Sequence, residues 1–180
     1  MSKLKKKIIM IGYSGHSYEI IECLRNDNYD IIGYCEIQKK EKNPFSLKYL
    51  GNEKDFETYK EKNCFFISIG DNTTRQKISK KIVLNNLCQV NVIHNESSVS
   101  KNLELGFGNF ISRNASVNFN SIIKNNVIVN TGSIIEHDCI INSYSHIGPG
   151  AVLCGGVSIG ENTFIGANSV VNQNIIIGNN

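Results

Sequence analysis

From residue 99 onward, branched aliphatic residues return at every sixth position without a break. The series runs Val99, Leu105, Ile111, Val117, Ile123, Val129, Ile135, Ile141, Ile147, Leu153, Ile159, Ile165, Val171 and Ile177. Two residues before most of these stops the side chain is small, as at Ala115, Ser121, Ser133, Cys139, Ser145, Ala151, Thr163 and Ser169. An amphipathic helix repeats near 3.6 residues and cannot keep this period. A fixed six-residue period is that of a β-helix, each repeat giving one short strand and one turn. Glycine and asparagine at Gly106, Gly108, Asn126, Gly132, Asn142, Gly148, Gly160 and Gly166 are expected at the corners, where the left-handed backbone conformation is needed. Pro149 fits such a corner because no ladder hydrogen bond is required of it there.

Residues 1–94 follow a different pattern. Strands are expected over 7–12 (KIIMIG), 30–36 (DIIGYCE), 64–70 (CFFISIG) and 89–93. Helical spacing appears over 17–25, with Ile20, Ile21 and Leu24 on one face, over the polar stretch 53–62, and over the basic stretch 72–87, with Ile78, Ile82 and Leu87 inward. Strands alternating with helices imply βαβ units and a small parallel, Rossmann-like sheet. The expected organisation is an α/β domain over 1–94 and a β-helix domain over 95–180, with no flexible linker. The repeat is still running at Asn180 without the polar cap that solenoids need, so either a longer chain or a partner over the last coil is expected.

Composition narrows the function classes. The net charge of +3 comes with Lys3, Lys5, Lys6 and Lys7 at the N-terminus and a second group between Lys77 and Lys81. Neither group is interleaved with aromatic platforms, so both read as solvated surface and no nucleic-acid partner is expected. The apolar run Ile8–Ile11 is too short for a signal-peptide core or a membrane span, which points to a cytoplasmic protein with no membrane partner. The six cysteines, at 23, 35, 64, 88, 139 and 154, have no metal-ligand spacing and lie in apolar stretches. No metal is expected, and disulfides are not expected in that compartment.

Two clusters could carry chemistry. Gly12-Tyr13-Ser14-Gly15-His16 joins the first strand to the first helix. A glycine-containing turn there can present backbone N–H groups to an anion, or serve only as a tight turn with Ser14 capping the helix. His16 and Gly70-Asp71-Asn72 both fall at the carboxyl edge of the sheet, where open α/β sheets bind ligands. The second cluster is Glu136-His137-Asp138. His137 comes two residues after inward Ile135 and so belongs to an exposed corner, where Asp138 can orient its imidazole. His146 directly precedes inward Ile147 and should project outward, as a ligand contact or as a surface or interface histidine.

The hexapeptide series, the G-x-S-G-H loop, I-G-D-N-x-x-R after the third strand, N-T-G-S-I-I-E-H-D-C-I-I and S-H-I-G-P-G-A-V-L-C-G-G together resemble one family. It is that of the hexapeptide-repeat sugar acetyltransferases, including bacterial UDP-4-amino-sugar N-acetyltransferases and sialic acid O-acetyltransferases. The likeness covers about residues 7 to 178. It implies a left-handed parallel β-helix, a homotrimer, acetyl-CoA as co-substrate, and a nucleotide-sugar or sialic acid as acceptor in surface-polysaccharide biosynthesis. By the same resemblance His137 is the general base and Asp138 the acid that raises its basicity. Gly155 offers its N–H to the thioester oxygen, while His146 and Ala167 contact acetyl-CoA. Ser14, Gly15, His16, Cys35, Glu36 and Gly70 match positions that hold the nucleotide-sugar. Two departures stand out. Cys35 replaces one of the two acids usual after strand two, and the chain stops before the family's last coil.

The repeat arithmetic agrees independently with part of this picture. His137 and Gly155 are one coil of three hexapeptides apart and should stack on one corner, about 5 Å apart along the axis. The expected reaction is direct attack of a sugar amine on acetyl-CoA, with sialic acid O-acetylation as the alternative. Two more distant alternatives are a γ-type carbonic anhydrase, which needs three metal-binding histidines, and a non-catalytic nucleotide-sugar-binding module. In a solenoid of fewer than five coils, Ile122, Ile128, Ile134 and Ile140 are expected to face outward, with Ile122 and Ile140 on one face. Such a surface is too apolar for open solvent and argues for the trimer.

Overall fold

The computed structural model describes residues 6–25, 29–52, 56–59 and 63–180. It divides into two compact units, one of residues 1–69 and 77–90 and the other of 70–76 and 91–180. Among the described residues, no helix is long and apolar enough to cross a membrane.

The first unit is built on five parallel strands: β1 (Lys6–Ile11), β2 (Tyr29–Cys35), β3 (Tyr49–Gly51), β4 (Asn63–Ile67) and β5 (Cys88–Gln89). Their order across the sheet is β3-β2-β1-β4-β5. Central β1 buries Ile8, Ile9, Met10 and Ile11 in succession, as a strand covered on both faces must. Ile9, Ile11, Cys35, Leu50, Phe65 and Ile67 form one core cluster with Ile78 and Ile82 of helix α2 (Asn72–Leu84). Helix α1 (Gly15–Arg25) buries Ile20, Ile21 and Leu24.

Several expectations need correction here. β3 was not visible as a strand, because three residues carry no periodicity. The helix expected over 53–62 is a 3-10 turn at Phe56–Tyr59, and residues 53–55 and 60–62 lie outside the described residues. The strand expected over 89–93 divides between the units. Cys88–Gln89 pairs with β4, whereas Val92–Ile93 pairs with Phe110–Ile111 and opens the β-helix. Cys64 and Cys88 form a disulfide, contrary to expectation. They are register partners on adjacent strands, with Cα atoms 4.7 Å apart, which brings the two thiols together.

In the second unit, two-residue strands recur every six residues from Val92–Ile93 to Ile176–Ile177. They stack into three parallel five-stranded sheets, each strand pairing with the one 18 residues away. The β-helix therefore begins at residue 92 and has five strands on every face. Its inward stops form a continuous core from Ile111 to Val171, with Ala115, Cys139 and Ala151 in the small positions beside them.

The corners turn at every sixth residue from Gly108 to Asn180, all at positive φ. Gly106, Asn142, Gly148, Gly160 and Gly166 lie two residues before these positions and are not left-handed. Asp138 and Tyr144, at φ 60° and 65°, are left-handed although neither is glycine or asparagine. Ile122 and Ile140 are register partners on one face, as expected. Ile128, expected on the open surface, is buried, flanked in register by Phe110 and His146.

Arg75 is the largest fully buried side chain. Its guanidinium donates to the carbonyls of Gly70, Asn126 and Tyr144 and to Asn72 Oδ1. Burial lowers its pKa to about 10, which leaves it charged at neutral pH. This one side chain ties the first turn of α2 to a β-helix corner within the second unit.

Candidate active site

The corner after the strand Ile134–Ile135 carries the only chemistry-bearing triplet of the repeat. Two of its three residues, Glu136 and Asp138, are held by the coil before. Asn118 Nδ2 donates to Glu136 Oε2 at 2.8 Å, Asp138 N donates to the Phe119 carbonyl at 3.0 Å, and Asn120 Nδ2 donates to Asp138 Oδ1 at 2.7 Å. The other carboxylate oxygen, Oδ2, lies 2.7 Å from His137 Nδ1. Asp138's carboxyl is held below the usual carboxylate range, first by the Asn120 hydrogen bond and then by His137. An ionised carboxylate can only accept, so Nδ1 carries the ring proton and Nε2 is left with its lone pair. Both side chains are open to solvent, His137 at 62% and Asp138 at 51% exposure.

Gly155 lies one coil on, against the ring. A Cβ at Gly155 would come 2.6 Å from His137 Cε1 and 2.7 Å from Nε2. Only glycine lets the imidazole lie there.

At another corner the backbone N–H is taken by a side chain one coil later at three rungs: Phe107 N by Asn125 Oδ1, Asn125 N by Ser143 Oγ, and Glu161 N by Asn179 Oδ1. At the His137 corner the rung after Gly155 is Gln173, and the Gly155 N–H makes no hydrogen bond among the described residues. A bare donor thus sits beside a bare ring nitrogen.

Cys139 occupies the inward position behind this corner. Its thiol donates to the Cys154 carbonyl, and burial raises its pKa. It is placed as core, not as a nucleophile.

The other expected cofactor contacts are elsewhere in the chain. His146 is on the face of Phe110, Ile128 and Phe164, and Ala167 is exposed at the corner after that face. The face of Ile134 and Val152 lies between them and His137. His146 does project outward, but it is buried. Its Nε2 is 3.0 Å from Asn130 Nδ2, and its ring meets Phe164 edge-on at 5.0 Å. His94 belongs to a third place, where its Nδ1 accepts the Glu96 N–H. The three histidines of the repeat region do not converge. Among the described residues, no group of three His, Cys, Asp or Glu is placed to hold a metal.

In the first unit, Ser14, Gly15 and His16 stand at the start of α1, with Ser14 and Gly15 exposed. Gly12 turns at φ +97°, a conformation only glycine adopts readily. The Gly12 N–H donates to the Cys35 carbonyl, and the Tyr13 N–H donates to Glu36 Oε2 at 3.1 Å. The Ser14 N–H donates to Ser17 Oγ at 2.6 Å, half of a capping box. The loop is thus closed on itself, and the N–H groups open to a ligand begin at Gly15, in the first helical turn.

Cys35 is fully buried in the core, so its side chain does not reach a ligand. Glu36 accepts from both the Tyr13 and Ile37 N–H groups and pairs with Lys40 at 3.5 Å. Gly70 falls in the second unit, its carbonyl taken by Arg75.

Sequence reading missed Asn118 and Asn120 at the histidine corner. The signal was present: the 18-residue step that pairs His137 with Gly155 also pairs Asn118 with Glu136 and Asn120 with Asp138. Arg75 was quoted only as part of a motif, and its role needed the fold.

The family description "PglD N-terminal domain" matches residues 7–82. GDP-perosamine N-acetyltransferase from Caulobacter crescentus, solved as a histidine mutant with CoA and GDP-perosamine, is 30% identical with a TM-score of 0.90. The alignment covers 96% of this chain and 82% of that one. The acetyltransferase domain of PglB from Neisseria gonorrhoeae FA1090, solved with acetyl coenzyme A, is 26% identical with a TM-score of 0.91, covering 97% and 86%. WeeI from Acinetobacter baumannii AYE, at 15% identity and a TM-score of 0.73 over 94% and 93% of the chains, shares the fold. No curated protein sequence matches the chain. An α/β unit with this N-terminal match, a hexapeptide β-helix behind it, and this identity across nearly the whole chain lead to one conclusion: the chain belongs to the hexapeptide-repeat sugar N-acetyltransferase family.

Proposed function

We propose that this protein transfers the acetyl group of acetyl-CoA to the amino group of a nucleotide-linked amino sugar, with His137 as general base. The observation that carries this reading is the corner itself, where an oriented imidazole with Nε2 free lies against a glycine whose N–H has no partner. The relatives solved with CoA and GDP-perosamine, and with acetyl coenzyme A, support both substrate classes.

The steps balance. The sugar amine attacks the thioester carbonyl, forming the C–N bond. The Gly155 N–H donates to the developing oxyanion, a contribution often worth about 3 kcal/mol. His137 Nε2 takes the proton from the attacking nitrogen and returns it to the CoA sulfur as the C–S bond breaks. Asp138 stabilises the imidazolium formed in between. No acyl-enzyme is involved, since Cys139 is turned inward with its thiol held protonated.

The first unit acts as the nucleotide-sugar domain, and the second, which carries the β-helix, as the acyltransferase domain. Ser14, Gly15 and His16 hold the sugar nucleotide, with Glu36 fixing the loop beside them and Cys35 contributing backbone alone. His146 and Ala167 contact acetyl-CoA. One chain keeps them a face away from His137, so we assign them to the site completed by the neighbouring subunit of a homotrimer. Use of acetyl-CoA and a nucleotide-sugar supports our assignment of the protein to the cytoplasm, in the supply of surface polysaccharide.

The test is a panel of UDP-, CMP-, GDP- and dTDP-linked amino sugars, with sialic acid, each incubated with acetyl-CoA and read by CoA release. Release with an amino sugar is expected. Release with sialic acid alone would make it an O-acetyltransferase, and no release with any acceptor would overturn the assignment.

A further inference from the structure

The carboxylate that orients His137 is itself held by one side chain from the coil before it. Asn120 Nδ2 donates to Asp138 Oδ1 at 2.7 Å, while Asp138 Oδ2 receives the His137 Nδ1 proton at 2.7 Å. Amide, carboxylate and imidazole thus form a continuous chain. Backbone geometry presets it: Asn120 and Asp138 are stacked corner residues with φ of 59° and 60°.

Elsewhere the equivalent rung is neutral and longer, with Asn162 Nδ2 reaching Asn180 Oδ1 at 3.2 Å. Charge-assisted hydrogen bonds are shorter and about twice as strong as neutral ones. The other titratable neighbours are engaged differently. Glu136 is bound by Asn118, and the Cys139 thiol points inward to the Cys154 carbonyl. Asn120 and His137 are therefore the groups that set where the Asp138 carboxylate points.

We propose that Asn120 is a positioning residue for acetyl transfer, holding Asp138 across one coil so that His137 keeps its proton on Nδ1 and offers Nε2 to the acceptor. The inference rests on His137 acting as the base. The Asn120 amide never touches substrate. It removes the freedom of Asp138 to swing away from Nδ1, and with it the freedom of the ring to adopt the other tautomer. The hydrogen bond also favours the ionised carboxyl, in keeping with the depressed titration of Asp138.

The left-handed backbone at Asn120 dictates the variant. Alanine would add strain at φ 59°, whereas Asn120→Gly keeps the turn and removes only the amide. In the wild type, ¹⁵N spectra of His137 should show the neutral ring with Nδ1 protonated. In Asn120→Gly an Nε2-protonated population should appear. At the same time kcat should fall about tenfold with the KM for acetyl-CoA unchanged, a loss below the 10²–10⁴ typical of removing a general base. Asn120→Asp keeps the turn preference but replaces the donor with an acceptor, and it should lose at least as much.

Wild-type tautomer and wild-type kcat in both variants would overturn the proposal. A tautomer change in a protein that acetylates no sugar would support the relay and sink the acetyl-transfer reading, so the two failures are distinguishable.

Discussion

The imidazole of His137 lies on the backbone of Gly155, 18 residues later and one coil along, close enough that a single added methyl would displace it. That contact joins the proposed general base to the N–H proposed to meet the oxyanion, and it exists because the six-residue period returns the chain to the same corner.

Gly155→Ala tests the contact directly. The glycine is not in a left-handed conformation, so alanine fits the backbone, but its Cβ would enter the ring's space, 2.6 Å from Cε1. Displacement of a catalytic group by about 1 Å can cost a hundredfold. The expected result is a kcat reduced by about that factor, with a thermal midpoint near wild type. Wild-type kcat would mean that the ring position is irrelevant to turnover.

Asp138→Asn should lower kcat less than removal of His137 does, because the amide can still accept from Nδ1. Its pH signature follows from the depressed carboxyl. A group whose folded pKa is lowered contributes stability that is present above its unfolded value, about 3.9, and lost as pH falls through the lower folded one. The stability gap between wild type and Asp138→Asn should therefore persist down to about pH 4 and close in more acid solution. Denaturant unfolding across that range measures it, and a gap that closes already near neutrality would contradict the assignment.

Ile122 and Ile140 pair across one face of the solenoid, and Ile140 is 38% exposed. Two lysines there, in Ile122→Lys/Ile140→Lys, should dissociate the proposed homotrimer by light scattering and abolish activity, because His146 and Ala167 are not on the His137 corner of the same chain. A monomeric variant with full activity would rule out the shared site.

His16→Ala should weaken nucleotide-sugar binding and leave acetyl-CoA affinity unchanged in calorimetric titrations. His16 stands in the first turn of α1, in the first unit, whereas the proposed thioester site is in the second. Loss of acetyl-CoA affinity with sugar affinity intact would reverse the assignment of the two sites.

The solenoid was readable because its period is global. Each inward aliphatic from Ile111 to Val171 is buried where the six-residue count puts it, and the count alone stacked His137 on Gly155. What the count did not reveal was which corner residues turn left-handed. Asp138 and Tyr144 do so against their usual preference, because the coil imposes φ at every sixth residue. Cys35 was expected as a ligand contact through the family resemblance alone, yet its side chain turns into the core beside Ile11. The Cys64–Cys88 disulfide depends on strand register, which local composition does not encode. Arg75 entered the sequence reading only as the last residue of a motif, because the corner carbonyls that surround it are far away in sequence.

The most direct measurement is the turnover number of His137→Ala with acetyl-CoA and the best nucleotide-linked amino sugar, taken on protein shown to be correctly assembled. Loss of a general base costs about 10²–10⁴, so kcat should fall at least a hundredfold while both substrates still bind. Near-normal turnover in the assembled mutant would show that the Glu136-His137-Asp138 corner is not where the acetyl group is transferred.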